Sequence, residues 1–232
     1  MSGAVEARKT TIVRVVAAAA GIAVLVGALA PAAVAQRKRP PVRRVGIQVQ
    51  PQAIVAGQAA NVSGRLQGTA PGGKSLILLS AVFPFQTFAP GPQTNSDRQA
   101  RYHYRVSPRV NTRYQVVSRT QPPVASEIVA LTVAQRVDVN VSDSTPRKRH
   151  NVYFSGSVTP ANPGATVYIQ RQSVNTGRFR TISRTVLADA GADHSDFRKK
   201  VRITRSAVYA VRVRSTLLNA QGFSPPLPLR VH

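Results

Sequence analysis

The chain of 232 residues contains no cysteine and no tryptophan, and it has only eight acidic residues. Without cysteine it can form neither disulfides nor a lipid-anchored lipoprotein, since both need a thiol. Scarce carboxylates leave little material for a glycosidase, which needs two facing acids. The zinc motif H-E-x-x-H, the nucleophile elbow G-x-S-x-G and glycine-rich phosphate loops are also missing. We therefore predict a protein that is not an enzyme and uses no cofactor.

The chain repeats itself. Five pairs of matching motifs indicate that one structural unit is used twice. The number of residues between the members of a pair changes for the later motifs, because the loops of the two repeats differ in length. The matches are Val45/Ile47/Val49 with Val137/Val139/Val141, Ser63-Gly64 with Ser155-Gly156, Pro71-Gly72 with Pro163-Gly164, Tyr104 to Ser107 with Val201 to Thr204, and Leu131 to Val133 with Leu229 to Val231.

Each repeat is a series of short segments in which apolar and polar residues alternate, as in half-buried strands. Turn residues recur between these segments, and no stretch has a convincing helical period. We predict an all-β chain with two tandem immunoglobulin-like antiparallel β-sandwich domains, at residues 45–133 and 137–232. The short link between them predicts little freedom.

Tyr114 and Tyr209 each open the penultimate strand of a repeat after a short turn. This placement resembles the tyrosine corner of immunoglobulin-like and fibronectin type III-like sandwiches. The chain is thus similar to the cysteine-free bacterial immunoglobulin-like repeats of secreted and surface proteins. The resemblance implies that each hydroxyl bonds to nearby backbone.

The N-terminus has the features of a secretory signal. Three bases precede an apolar run, and the triplet Ala33-Val34-Ala35 follows. We predict a signal peptide at residues 1–35, cleaved before Gln36, with an uncleaved membrane anchor as the alternative. Either outcome predicts an extracellular or envelope-associated protein and fits a bacterial source. Residues 36–44 form a proline-containing basic leader with Arg37, Lys38, Arg39, Arg43 and Arg44.

Positive charge is in large excess, at +24 for the whole chain. The first repeat has eight bases and two acids, whereas the second has 15 bases and five acids. Such a field favours anionic partners. Alternation places Arg198, Lys200 and Arg202 on one outward face and Arg212 and Arg214 on another. If Phe179 points inward, Arg178 and Arg180 join that second face beside Tyr168.

Three further features of the sequence bear on possible ligands. Asp189, Asp193 and Asp196 are a weak calcium candidate, for which a polar hairpin is the simpler interpretation. Phe83, Phe85 and Phe88 lie in one segment between strands and either contact a protein partner or pack internally. No segment has the pattern of a recognition helix, so we expect no sequence-specific nucleic-acid binding.

The leading hypothesis is a secreted, non-enzymatic adhesion or scaffold protein that binds anionic cell-wall or extracellular polymers through arginine-rich sheet faces. The alternative is a protein-interaction module that uses the aromatic segment or edge strands. A less favoured alternative is an accessory domain of a secreted hydrolase. Membrane contact is expected only if the signal segment is retained.

Overall fold

The computed structural model describes residues 42–232, within which every regular element is a β-strand. The predicted signal segment and the leader residues Arg37, Lys38 and Arg39 lie outside the described residues. The first sandwich contains nine strands: β1 (Arg44–Val45), β2 (Gln48–Gln50), β3 (Ala53–Val55), β4 (Ala60–Gln67), β5 (Ser75–Val82), β6 (Ala89–Asn95), β7 (Arg101–Val106), β8 (Thr112–Ser118) and β9 (Val129–Ala134).

The second sandwich also contains nine: β10 (Arg136–Val141), β11 (Asn151–Thr159), β12 (Thr166–Gln172), β13 (Phe179–Val186), β14 (Ala188–Asp189), β15 (Ser195–Arg202), β16 (Ala207–Val213), β17 (Gly222–Phe223) and β18 (Leu227–Leu229). The predicted fold of two tandem all-β sandwiches is confirmed.

The first sandwich pairs a sheet of β1, β2, β4 and β7 with a sheet in the order β3-β9-β8-β5-β6. β1 and β2 follow one another along the same edge of β4. The chain then crosses to the other sheet, where β3 lies parallel to β9. The expectation of purely antiparallel sheets is wrong for this pair, because the first strand of the repeat is divided between the two sheets.

The second sandwich pairs a sheet in the order β10-β11-β15-β14 with a sheet in the order β13-β12-β16-β17, and β18 also pairs with β16. Strands β15 and β16 therefore lie in opposite sheets. Each sandwich has its own hydrophobic cluster, within residues 42–133 in the first and 137–231 in the second. Burial alternates along the strands, as in Tyr102 and Tyr104 between the exposed residues Arg101, His103 and Arg105.

The repeated Ser-Gly pair lies on β4 in the first sandwich, beside the segment between β1 and β2, and on β11 in the second sandwich, beside β10. A Cβ on Gly64 would overlap the carbonyl oxygen of Gly46, and a Cβ on Gly156 would overlap that of Asp138. Only glycine lets the two strands approach this closely. The motif is thus a packing requirement of the fold, repeated because the fold is repeated.

Strand pairing corrects one of the predicted repeat matches. Gly64 faces Tyr102, and Gly156 faces Phe197, so these two aromatic residues are equivalent. The sequence match of Tyr104 with Val201 is therefore displaced by two residues. The displacement preserved the side-chain alternation, which explains why the sequence pattern did not reveal it.

The first sandwich begins earlier than predicted. Val42 is fully buried in its core, and Arg44 lies in β1. The Arg43 backbone N–H donates to the Gln67 carbonyl at 2.7 Å. Arg43 and Arg44 therefore belong to the folded sheet edge, which corrects their assignment to the basic leader.

The two sandwiches join through a single residue. Gln135, 1% exposed, separates β9 from β10, and its Nε2 donates to the Arg214 carbonyl at 2.9 Å. Asn219, in the loop after β16, donates from Nδ2 to the carbonyls of Arg109 (2.8 Å) and Val133 (3.2 Å). Both sandwiches fall within one compact unit. The predicted short link is a buried, hydrogen-bonded junction.

The tyrosine corner is present in the second sandwich. Tyr209 is buried, and its hydroxyl donates to the Arg205 carbonyl at 3.1 Å. In the first sandwich, burial raises the pKa of Tyr114 to about 12, and the nearby Thr112 side chain partly opposes that rise. The expected backbone contact is thus confirmed for Tyr209, whereas no such contact of the Tyr114 hydroxyl is found within residues 42–232.

Candidate functional site

The second sandwich has two ends with different charge. The junction end is where Gln135 leads into β10. We call the opposite end the far end. It consists of residues 142–150 between β10 and β11, the hairpin 173–178 between β12 and β13, the turn 203–206 between β15 and β16, the C-terminal residues 230–232, and the adjoining strand ends 171–172, 179–180 and 200–202.

Backbone hydrogen bonds bind three of these segments together. Arg149 N–H donates to the Ile203 carbonyl at 2.7 Å, and Ile203 N–H donates to the His150 carbonyl at 2.8 Å. Lys148 N–H donates to the His232 carbonyl at 3.0 Å, and Arg230 N–H donates to the Ser144 carbonyl at 2.9 Å. Because the peptide groups satisfy one another, the charged side chains remain at the surface.

The far end carries ten basic residues and one acid, Asp143. The acid accepts a hydrogen bond from the Thr145 backbone N–H at 2.8 Å. None of the ten forms an ion pair with another residue in 42–232. Unneutralised cations at this density favour an anionic ligand. The ten are Arg147, Lys148, Arg149, Arg171, Arg178, Arg180, Lys200, Arg202, Arg205 and Arg230.

Two arrangements at the far end hold positive groups close together. Arg149 has a φ of 64°, a left-handed conformation that costs a non-glycine residue about 1–2 kcal/mol, and its carbonyl accepts from Arg202 Nε at 3.1 Å. Arg171 lies directly opposite Arg180 in the β12–β13 pair. Like charges in this position repel, and a bound anion would relieve the repulsion.

Tyr209 forms the apolar support beneath this basic surface. Burial raises the pKa of Tyr209, while Arg171 and Arg205 partly oppose that rise. Both guanidinium groups therefore lie near one buried phenol, although they are far apart in sequence.

Arg198, Lys200 and Arg202 are exposed along β15, while Phe197 and Val201 point into the core. The Arg198 guanidinium lies over the Tyr153 ring at 4.5 Å from its centroid. The basic face predicted for β15 therefore exists, and it leads directly into the far end.

The second predicted basic face, which contains Arg212 and Arg214 beside Tyr168, is only partly as expected. The Arg212 guanidinium lies 4.6 Å from the centroid of the Tyr168 ring. Arg214 is exposed beyond the end of β16, with its N–H on the Thr166 carbonyl. Phe179, however, pairs with Gln172 on the same face as Tyr168 and is 38% exposed. Phe179 therefore does not point inward, although the predicted place of Arg178 and Arg180 beside Tyr168 required that it should.

As a result, Arg180 faces away from Tyr168, and Arg178 lies in the far-end hairpin. Arg184 flanks Tyr168 instead, opposite Arg212. The register of β13 shifts at Ile182, and this bulge exchanges the two faces along the strand. Strict alternation in the sequence could not reveal that exchange. The run Arg147-Lys148-Arg149, by contrast, was a visible signal that sequence reasoning overlooked.

Four of the five acids of the second sandwich lie toward the junction end. Asp193 pairs with Arg109 of the first sandwich at 2.5 Å, and Asp138 pairs with Arg136 at 2.8 Å. The Arg109 hydrogen bond and charge hold the pKa of Asp193 below its usual value.

The weak calcium candidate is not supported by this geometry. Asp189 accepts from the Gly191 backbone N–H at 3.0 Å, and Asp196 lies 3.7 Å from His194. No group of three or more potential metal ligands forms within residues 42–232.

The aromatic segment lies between β5 and β6, and none of its phenylalanines joins either core. Phe83 is 36% exposed and contacts Phe85 edge to face, with ring centroids 5.8 Å apart. The Arg113 guanidinium covers Phe85 at 4.3 Å. Phe88 is half-buried. Internal core packing is therefore not their role.

No protein-family model matches this chain, and no curated protein matches it. Among solved structures, red sea bream transglutaminase resembles it with 14% identity and a TM-score of 0.38. The likeness covers 82% of this chain and 32% of the transglutaminase, so the chain spans about a third of that protein. A likeness this weak carries no argument about activity. Within residues 42–232 there is no helix with the length and apolar character of a membrane span.

Proposed function

We propose that this protein is an exported, non-enzymatic binding protein of the cell envelope that holds anionic polymers at the far end of its second sandwich. The observation that supports this function is the gathering of ten bases around one acid, with no ion pair to neutralise them in residues 42–232. Phosphate or carboxylate groups fit such a surface because arginine binds both in bidentate geometry.

The composition of the far end favours binding over catalysis. None of its ten basic side chains forms an ion pair with a carboxylate within residues 42–232, whereas general acid–base chemistry needs a positioned proton donor or acceptor. Guanidinium groups stay protonated at any physiological pH, so they supply charge and hydrogen bonds without exchanging protons.

Such binding should weaken steeply with salt. Each cation that contacts the polymer displaces a condensed counterion, so the logarithm of the binding constant falls roughly linearly with the logarithm of salt concentration. The slope of this line is proportional to the number of cations that contact the polymer. Removing far-end bases should therefore lower both the affinity and the slope.

The experiment compares two variants of the purified protein for binding to isolated bacterial cell walls across a salt series. The far-end variant replaces Lys148, Lys200, Arg205 and Arg230 with glutamine, and all four are exposed. The matched control replaces four exposed arginines of the first sandwich with glutamine, namely Arg98, Arg105, Arg113 and Arg119. Both variants lose four positive charges.

We expect the far-end variant to bind about 10-fold or more weakly with a shallower salt slope, and the control to change by less than about threefold. Equal losses in the two variants would show that only net charge matters and would remove the far end as the site. Wall binding that is undetectable even at low salt would overturn the proposed function.

A protein partner is the second candidate, favoured by the exposed aromatic segment. Val82 is 54% exposed beside Phe83, and the patch lies outside both cores. Apolar contacts are nearly insensitive to salt, unlike those at the far end. A salt-insensitive complex lost on Phe83→Ser, with wall binding retained, would establish this second role.

A further inference from the structure

A cleft of about 730 Å³ opens on the outer face of the first sandwich. One side is formed by β2, β4 and β7, and the other by the end of β6 and the residues after it. Its volume is within the range of small-molecule sites. Gln48, Ser63, Thr94 and Asn95 supply neutral polar groups to its lining, and Arg65, Arg101 and His103 supply basic ones.

The floor of the cleft is built by the glycine that the sequence repeat revealed. Gly64 lacks the Cβ that would fill the space against Gly46, and the Tyr102 hydroxyl donates to the Gly46 carbonyl at 2.5 Å. Burial and the neighbouring Tyr104 raise the pKa of Tyr102, which keeps this hydroxyl protonated. The floor is therefore rigid, and its peptide groups are hydrogen-bonded.

Arg65 and Arg101 face each other directly across β4 and β7, and both are exposed. Two like charges in opposite positions destabilise a sheet unless an anion lies between them. The one acid at the cleft, Asp97, accepts from the backbone N–H groups of Gln99 and Arg101, both at 2.8 Å. It forms no ion pair with either arginine.

The second sandwich has an equivalent cleft of about 570 Å³ at Gly156. Strand pairing places Ser157 and Asp196 where the first sandwich has Arg65 and Arg101. The frame is thus the same in both repeats, while the paired arginines occur only in the first. The fold does not require them, and their pairing indicates a ligand specific to the first cleft.

We propose that the first cleft binds an acidic sugar unit of the polymer. The hydroxyl and amide side chains match sugar hydroxyls, and the facing guanidinium groups match a carboxylate. This inference rests on the proposed function and names the polymer as an acidic polysaccharide. The far end then attracts the polysaccharide by charge, and the cleft binds one acidic sugar unit of that polysaccharide.

The test measures binding of a hexamer of galacturonate to the purified protein by isothermal titration calorimetry. Maltohexaose serves as the neutral sugar, and an inorganic polyphosphate of similar charge serves as the anion without sugar. The cleft variant, Arg65→Ser with Arg101→Asp, converts the pair into that of the second sandwich. The matched control, Arg98→Ser with Arg105→Asp, changes the net charge equally outside the cleft.

We expect the galacturonate hexamer to bind the wild type and the control within about threefold of each other, and the cleft variant about 10-fold or more weakly. Polyphosphate binding should be equal in the cleft variant and the control. In the wild type, the hexamer should shift the amide signals of Gly46 and Gly64 in nuclear magnetic resonance spectra. That shift tests the site even if the cleft variant is unstable.

Equal hexamer binding by the cleft variant and the control would overturn the cleft assignment. So would maltohexaose binding as tightly as the uronate, or polyphosphate competing for the same amide signals. None of these results tests the proposed function, which depends on wall binding at the far end. If wall binding is absent but the hexamer still shifts the Gly46 and Gly64 amide signals, the proposed function is overturned and the cleft assignment stands.

Discussion

The two sandwiches share their framework and differ on their surfaces. Gly64 and Gly156 serve the same close strand approach, and Tyr114 and Tyr209 open equivalent strands. At the cleft, however, the first sandwich has facing arginines where the second has Ser157 and Asp196. The glycine and the corner tyrosine of the framework are the same in both copies, and the exposed pair at the cleft differs. Differences between the copies therefore point to ligand contacts more directly than their similarities.

The distribution of charge differs in the same way. The second sandwich, counted from Arg136 in β10, has 16 bases, and ten of them are at the end away from the junction. The first sandwich has ten bases, counted from Arg43, and these include the cleft pair and Arg109, which contacts Asp193 across the junction. One copy therefore concentrates charge at an end, and the other places a few cations at specific positions.

The largest expected effect tests whether the shared glycine is equally necessary in both copies. Gly64→Ala and Gly156→Ala should each cost at least about 3 kcal/mol, because backbone atoms of the neighbouring strand must move. Gly73→Ala is the control, since its Cβ would meet open space and only its φ of 67° is unfavourable, at about 1–2 kcal/mol. Urea unfolding followed by circular dichroism measures each cost. Similar losses in all three variants would contradict the steric explanation.

The next effect tests whether the two copies unfold as one. Asn219→Ala leaves the carbonyls of Arg109 and Val133 without their side-chain donor and should cost about 2 kcal/mol. Calorimetry should then show the sandwiches melting in two separate transitions. Leu217→Ala, on the same loop but 73% exposed, should change stability by less than about 0.5 kcal/mol. A single unshifted transition for Asn219→Ala would show that the junction depends on other contacts.

A smaller effect compares the tyrosine corners. Tyr209→Phe removes the donor to the Arg205 carbonyl and should cost about 1 kcal/mol. Tyr114→Phe should cost less, because the Thr112 hydroxyl keeps its own hydrogen bond to the Val110 carbonyl at 2.8 Å. Chemical denaturation of both variants measures the difference. Equal costs would mean that the two hydroxyl groups contribute alike despite their different surroundings.

The smallest effect concerns the ion pair across the junction. The folded pKa of Asp193 is lowered, so the pair stabilises the protein above the ordinary aspartate range, and this contribution is lost as the pH falls through the folded value. The effect should be slight because both side chains are exposed, at 65% and 71%. The Asp193 carboxyl titration, followed by nuclear magnetic resonance, should shift to higher pH in Arg109→Gln. An unchanged midpoint would show that the pair does not persist in solution.

Much of the framework was predictable because its signals are local. A strand exposes alternate side chains, so the segments around Val45, Tyr104 and Val211 could be located from their alternation. The duplication was visible in short motifs such as Ser63-Gly64, and the β15 basic face followed from alternation alone. The end of the leader was misplaced because the burial of Val42 depends on a sheet edge distant in sequence.

The strand pattern, the repeat, the excess of positive charge and its greater share in the second copy can all be recognised in the amino-acid sequence. Which charged side chains meet depends on the folded chain. Arg149, Arg205 and Arg230 come together because three loops hydrogen-bond to one another, and Arg184 faces Tyr168 because β13 bulges at Ile182. Arg65 and Arg101 face each other because of the register between β4 and β7. Register, bulges and loop contacts are set by long-range packing, whereas alternation is set within a single strand.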